Sequence, residues 1–178
     1  MSDGAATSGA AQTSWRVVNL VLIVCALVLV AASVLWFKEG AAATPGDSRA
    51  ETLSREYEQV TTAARDETLA FLAVDYRRMD PLIAKVLAGA AGTFRTQYSH
   101  AQVNLKASAQ QAHAVSSGKV LAVGISDLSD NAAVVFVAAD AQVSNTSTKT
   151  PQPRYYRLKL TMVRQGGSWL TSNLQFVG

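Results

Sequence analysis

The side chains that could do chemistry are few and scattered. His100 and His113 lie 13 positions apart, and no His-x-x-x-His or His-Glu-x-x-His spacing occurs to hold a metal. Each histidine reads as a surface or half-buried side chain. The single cysteine, Cys25, excludes an intramolecular disulfide and a cysteine-rich zinc site. Val24 before it is too large for a lipoprotein signal, so Cys25 reads as an apolar residue. Asp75-Tyr76-Arg77-Arg78-Met79-Asp80 concentrates functional groups, yet it reads as a helix end with solvated charges. Asp140 interrupts an apolar strand pattern. It would be either an inward general base in a cone-shaped cavity or a solvent-facing residue near a strand end. Gly166-Gly167 is too short to cradle phosphate and belongs to a hairpin, not to a helix start. Asn145-Thr146-Ser147 matches the glycosylation acceptor pattern, as a short motif does by chance. There is no nucleophile elbow and no P-loop. The residues thus specify no catalytic, cofactor-binding or metal site. An anchored domain with so sparse an inventory is expected to bind partners rather than to be an enzyme.

Composition narrows the class. Of 178 residues, 49% are apolar and only 16% charged, against ~25% in ordinary soluble domains. That excludes a wholly disordered chain and suggests that part of the apolar content lies outside a soluble core. The net charge of +3 comes from scattered basic residues, so no nucleic-acid partner is expected.

The apolar excess is at the front. Residues 1–14 are small and polar and read as a disordered cytoplasmic tail. Val17 to Phe37 follow without a charge. At 1.5 Å per residue such a helix is about 31 Å long, matching a hydrocarbon core of ~30 Å. Trp15 and Trp36 stand at its ends, where indoles settle at bilayer interfaces, and Arg16 and Lys38 close it. Residues 15–38 therefore read as one transmembrane helix, with membrane lipid around Trp15 to Phe37. The stretch is longer than a signal-peptide core, which argues against cleavage at Ala41-Ala42-Ala43. Charge bias alone does not orient it. Arg16 precedes the span, while Lys38, Arg49 and Arg55 follow, and large domains translocate largely regardless of charge.

Residues 39–47 read as a linker and 48–178 as one α+β domain. Ser48 and Glu51 have capping-box spacing, predicting a helix from there to about Arg78. Its inner stripe would be Leu53, Tyr57, Val60, Ala64, Phe71 and Asp75, joined by Leu72 and Tyr76, and its polar face Arg55, Glu58, Arg65 and Asp66. Asp80-Pro81 predicts a second helix ending near Gly89 or Gly92. A third carries Phe94, Tyr98, Ala101, Leu105 and Ala109. Strands are then expected over 119–126, 132–143, from about Tyr156 to Met162, and 169–177, with turns at 127–131 and 165–168. The order predicts helices followed by a curved, four-stranded antiparallel sheet, bent into a cone. Trp169 would plug the space between sheet and helices near Tyr57, Phe71 and Phe94, or else sit on a docking surface.

Three stretches carry a resemblance: Phe71-Leu72-Ala73-Val74-Asp75-Tyr76-Arg77, Gly92-Thr93-Phe94-Arg95-Thr96-Gln97-Tyr98, and residues 164–174 around Gly166-Gly167-Ser168-Trp169-Leu170. In this order behind one anchor, the chain resembles the actinobacterial Mce-associated membrane proteins, which carry an NTF2-like or VirB8-like domain. The resemblance implies a non-enzymatic accessory subunit of an Mce-type lipid importer, partnered by integral-membrane and transporter subunits. It implies a cell-membrane location with the N-terminus cytoplasmic and the C-terminal domain extracytoplasmic. It leaves room for a homo-oligomer. Two other readings stand beside it. One is a tethered NTF2-like enzyme or small-apolar-ligand binder using Asp140. The other is a VirB8-like assembly factor of a secretion machine.

Overall fold

The computed structural model describes residues 45–178 apart from Lys149. The expected tail, span and most of the linker lie outside these residues. Among the described residues no helix is long and apolar enough to cross a membrane.

Helix α1 spans Pro45–Leu72, opening with the proline that suits a first helical position. Ser48 and Glu51 thus lie within the first turns instead of at the cap. The expected run to Arg78 is cut short at Leu72. The reason is competition: Val74–Asp75 form a two-residue strand, β1, paired with Val115 and Ser116. The Tyr76 N–H then donates to the Ala114 carbonyl at 3.1 Å. Helix α2 follows over Met79–Gly89 and α3 over Gly92–Ala112. Gly92 sits at φ +49, a left-handed conformation that glycine adopts without penalty. His113 ends α3 at φ 46, its backbone N–H bonded to the helix's last carbonyls. It is the helix's C-terminal cap.

The remaining strands are long: β2 Val115–Leu128, β3 Ala132–Ser144, β4 Gln152–Gln165 and β5 Ser168–Phe176. With β1 they make a five-stranded sheet in the order β1-β2-β3-β4-β5, every pair antiparallel. The expected count of four missed β1, since two residues carry no detectable period. Register shifts near Leu121, Ser126 and Thr161 mark bulges, which bend strands. The last hairpin turns through Gly166 (φ +57) and Gly167 (φ +83), both left-handed, as a tight two-residue turn demands.

One face of the sheet is dry. Val135, Val137, Leu158, Leu160 and Met162 are essentially inaccessible and pack in one cluster with Val60 and Ala64 of α1. The small Ala64 lets the helix approach the sheet closely. Of the expected α1 stripe, Val60 and Ala64 are buried, while Leu53 and Tyr57 are exposed. Thr68, in the same stripe, returns its hydroxyl to the Ala64 carbonyl at 2.8 Å, so no donor is stranded. Two smaller clusters join the helices, one around Val86 and Phe94 and one around Met79, Ile83 and Ala109.

Trp169 lies within the main cluster at 5% exposure. Phe71 and Phe94, expected beside it, belong to the neighbouring cluster instead. Trp169 is held from outside by the Arg164 guanidinium, 5.9 Å from the ring centre, which also pairs with Glu56 at 3.0 Å. Replacing Trp169 by alanine removes the largest side chain of this junction. Equilibrium unfolding of the full chain should show a loss of about 3–5 kcal/mol. An unchanged midpoint would contradict the packing role.

Candidate functional site around Glu67

The carboxyl group most displaced from water is Glu67, on α1. Successive helical residues turn by 100°, so Glu67 follows Val60 by two turns and falls on the buried stripe. It is 4% exposed. Its Oε1 is sealed from solvent and has no hydrogen-bond partner among the described residues. Its Oε2 lies against the backbone of Gly89, the last residue of α2. A Cβ built on Gly89 would fall 1.8 Å from that oxygen, so only glycine leaves the carboxyl its place. Burial without a counter-charge pushes the Glu67 pKa from 4.5 up to about 8. The group is a neutral acid at pH 7. Burial, and to a lesser degree the Glu67 charge, also raise the Tyr98 pKa.

Glu67 lines a pocket of about 250 Å³ together with Ala63, Asp66, Ala70, Lys85, Gly89 and Trp169. The Trp169 Nε1 and Thr171 Oγ1 are likewise buried without a partner among the described residues. Thr171 is fixed by its backbone. Its carbonyl accepts from the Ala91 N–H at 2.8 Å, and it bridges Ala90 in parallel sense. The C-terminal carbonyls of α2 are occupied: Arg95 Nη1 donates to Leu87 and Ala90. A neutral carboxyl in such a setting can donate or accept one proton near neutrality. No histidine lines this pocket, and no metal-binding cluster occurs among the described residues.

The residues singled out from the sequence are not brought together. Asp140 faces away from the core. Its neighbours Ala139 and Ala141 are buried, so a period of two turns Asp140 to the opposite face, where it is paired in register with Lys119 and Tyr155. Of the two readings of Asp140, the outward-facing one stands and the inward base falls. The inner face where that base would have stood is filled by Val137 and Leu158. His100 and His113 are both exposed and sit in separate places, His113 stacked on Tyr76 with ring centres 4.8 Å apart. Asp75 is buried at the β1 turn, not solvated at a helix end. It accepts from Arg77 Nε at 2.8 Å and Nη2 at 2.9 Å, with Arg78 Nε at 3.3 Å. Those Arg77 bonds hold its carboxyl down to about pKa 2. Glu67 itself escaped the sequence reading because its neighbours Arg65 and Asp66 define a polar face. The available signal was its seven-residue spacing from Val60.

Below pH 4.5 both folded and unfolded chains keep the Glu67 proton, and stability is independent of this group. Between 4.5 and about 8 the unfolded chain loses the proton first, so stability falls as pH rises; above that it levels. Glu67→Gln should abolish that slope and raise the melting temperature at pH 8 but not at pH 4. The gap should grow at ~1.4 kcal/mol per pH unit within the window. Parallel melting curves for both proteins across pH 4 to 9 would contradict a buried neutral acid.

A family model described as "Uncharacterized protein Rv1363c/MT1408-like" matches residues 13–178. The Mycobacterium tuberculosis protein Rv1363c is 25% identical over 157 residues, which cover 88% of this chain and 57% of that protein. The chain thus spans little more than half the length of this relative. Among solved structures, an IcmL-like type IV secretion system protein from Legionella pneumophila superposes with a TM-score of 0.56 at 12% identity, covering 67% of this chain and 91% of that one. The periplasmic domain of DotI gives 0.52 at 12% identity, covering 66% and 92%. Agrobacterium tumefaciens VirB8 gives 0.48 at 12%, covering 69% and 92%. The likeness to the Legionella protein and to DotI is one of fold: helices, then an antiparallel sheet. With the family match running from Thr13 to the last residue, the chain belongs to the Rv1363c/MT1408-like family.

Proposed function

We propose that the protein is a membrane-anchored, non-enzymatic accessory subunit that steadies an Mce-type lipid importer in the cell envelope. One observation carries the reading: the uncharged run Val17 to Phe37 stands directly ahead of a domain whose inner face is filled by its own side chains. A tether joined to a closed domain suits holding partners together better than turning over a substrate. The stretches 71–77, 92–98 and 164–174 support the Mce association by their resemblance. The domain would sit outside the cytoplasmic membrane, and nucleic acid is not a partner.

A second reading draws on the fold. The Legionella protein and DotI share it, and the former belongs to a type IV secretion system. On that reading the chain would help to assemble a secretion machine. Affinity purification of the full chain from solubilised membranes separates the two. Co-enrichment of Mce and permease subunits is expected. Co-enrichment of secretion components alone would favour the second reading, and neither would refute both. For topology, an export-dependent reporter fused after Val177 should be active. A mature N-terminus near Thr44 would break the anchor.

A further inference from the structure

A second pocket, of about 300 Å³, opens where α1 ends, between β1, α2 and α3. Its volume is at the small end of the ~300–1,000 Å³ typical of ligand pockets, so one slender group fits. Nine residues line it and none is charged; Tyr98 and Ser108 alone carry a polar side-chain atom. Phe71, Met79 and Leu105 form its walls. Ala73, Ala109 and Ala114 stand where larger apolar side chains would close it. Interiors are otherwise packed to crystal-like density, so three alanines around one space keep it open. The two helical walls are also pinned to each other. Asp80, next to Met79, and Lys106, next to Leu105, tie α2 to α3 with both carboxylate oxygens 2.7 Å from the ammonium. Leu105 remains 39% exposed at the rim. The space belongs to the helices and β1, apart from the filled inner face of the sheet.

We propose that this pocket binds a single hydrocarbon chain, either of a free fatty acid or of a bilayer lipid. Its lining can solvate methylenes and can pair no charge. A bilayer source rests on the anchored reading of Val17 to Phe37. The reporter fusion tests the anchor on its own, and the following experiment tests the pocket.

The full chain is placed in phosphatidylcholine nanodiscs with one of two probes, a diazirine-bearing palmitate or a phosphatidylcholine carrying the same diazirine chain. After irradiation, adducts are mapped by peptide mass spectrometry. Adducts are expected on the peptides that contain Met79 and Leu105. They should fall at least tenfold in Ala109→Phe, which fills the pocket, and in Ser108→Phe, which plugs its exposed rim without entering the core. Labelling by palmitate alone identifies a free fatty acid as the source, and labelling by the phospholipid identifies a bilayer chain. Adducts confined to residues 15–38 would overturn the proposal. So would unchanged pocket labelling in Ser108→Phe with an unaltered melting temperature. If the chain's own apolar run or a second copy fills the pocket, both probes are excluded, and that result also overturns it.

Discussion

The constraint on which the rest of the structure depends is the need to cover one face of the sheet. Strands β3 and β4 present Val135, Val137, Leu158, Leu160 and Met162 to the same side, and burial of such side chains is worth roughly 1.5–3 kcal/mol each. Helix α1 covers them through Val60 and Ala64. The contact works because Ala64 is small and because Thr68 satisfies its own hydroxyl. The helix must stop at Leu72 once it has crossed the sheet, which frees Val74 and Asp75 to extend the sheet by one short edge. Asp75 then anchors the turn by gathering Arg77 and Arg78, and α2 can begin.

Glu67 is the costly residue in this arrangement. A charged carboxylate could not occupy its position without a partner, and the group remains neutral instead. Its location explains Gly89, whose missing side chain leaves room for the carboxyl. Glycine also ends α2 there, so one residue serves both backbone and packing. The same small volume brings α1, the end of α2 and Trp169 around one pocket. These features describe a junction between helices and sheet built around a buried, neutral carboxyl group.

Much of this could be read from the residues alone. The three helices, the long strands β3 and β5, and the Gly166-Gly167 turn follow from period and turn chemistry, because each signal is local. The end of α1 was not readable, since Phe71 to Arg78 continues a helical pattern and only pairing with β2 interrupts it. Strand β4 is longer than its alternation suggests: Gln152 to Tyr155 are exposed on both sides, and their strand state comes from pairing with 140–143. The site was the least legible part. Asp140 was conspicuous because its neighbours are apolar, yet alternation turns it outward. Glu67 was inconspicuous because charges surround it in sequence, although it points inward. Whether a carboxyl is buried depends on what another segment places over it, here Gly89 and Trp169, and neither is near in sequence.

The bridge between Ala90 and Thr171 joins residues some 80 positions apart, whereas strands β2 to β5 meet their partners through short hairpins. Closing a long loop costs more entropy than closing a short one, and pairings of low sequence separation form first. The meander can therefore zip up from its turns before the helical half is in place. The junction of α2 and α3 docks onto β5 afterwards and draws Gly89 against Glu67. On refolding, amide protection should spread from the hairpins and reach the Ala91 N–H last. A chain emerging from synthesis makes its helices early but cannot seat them until its final strand has appeared.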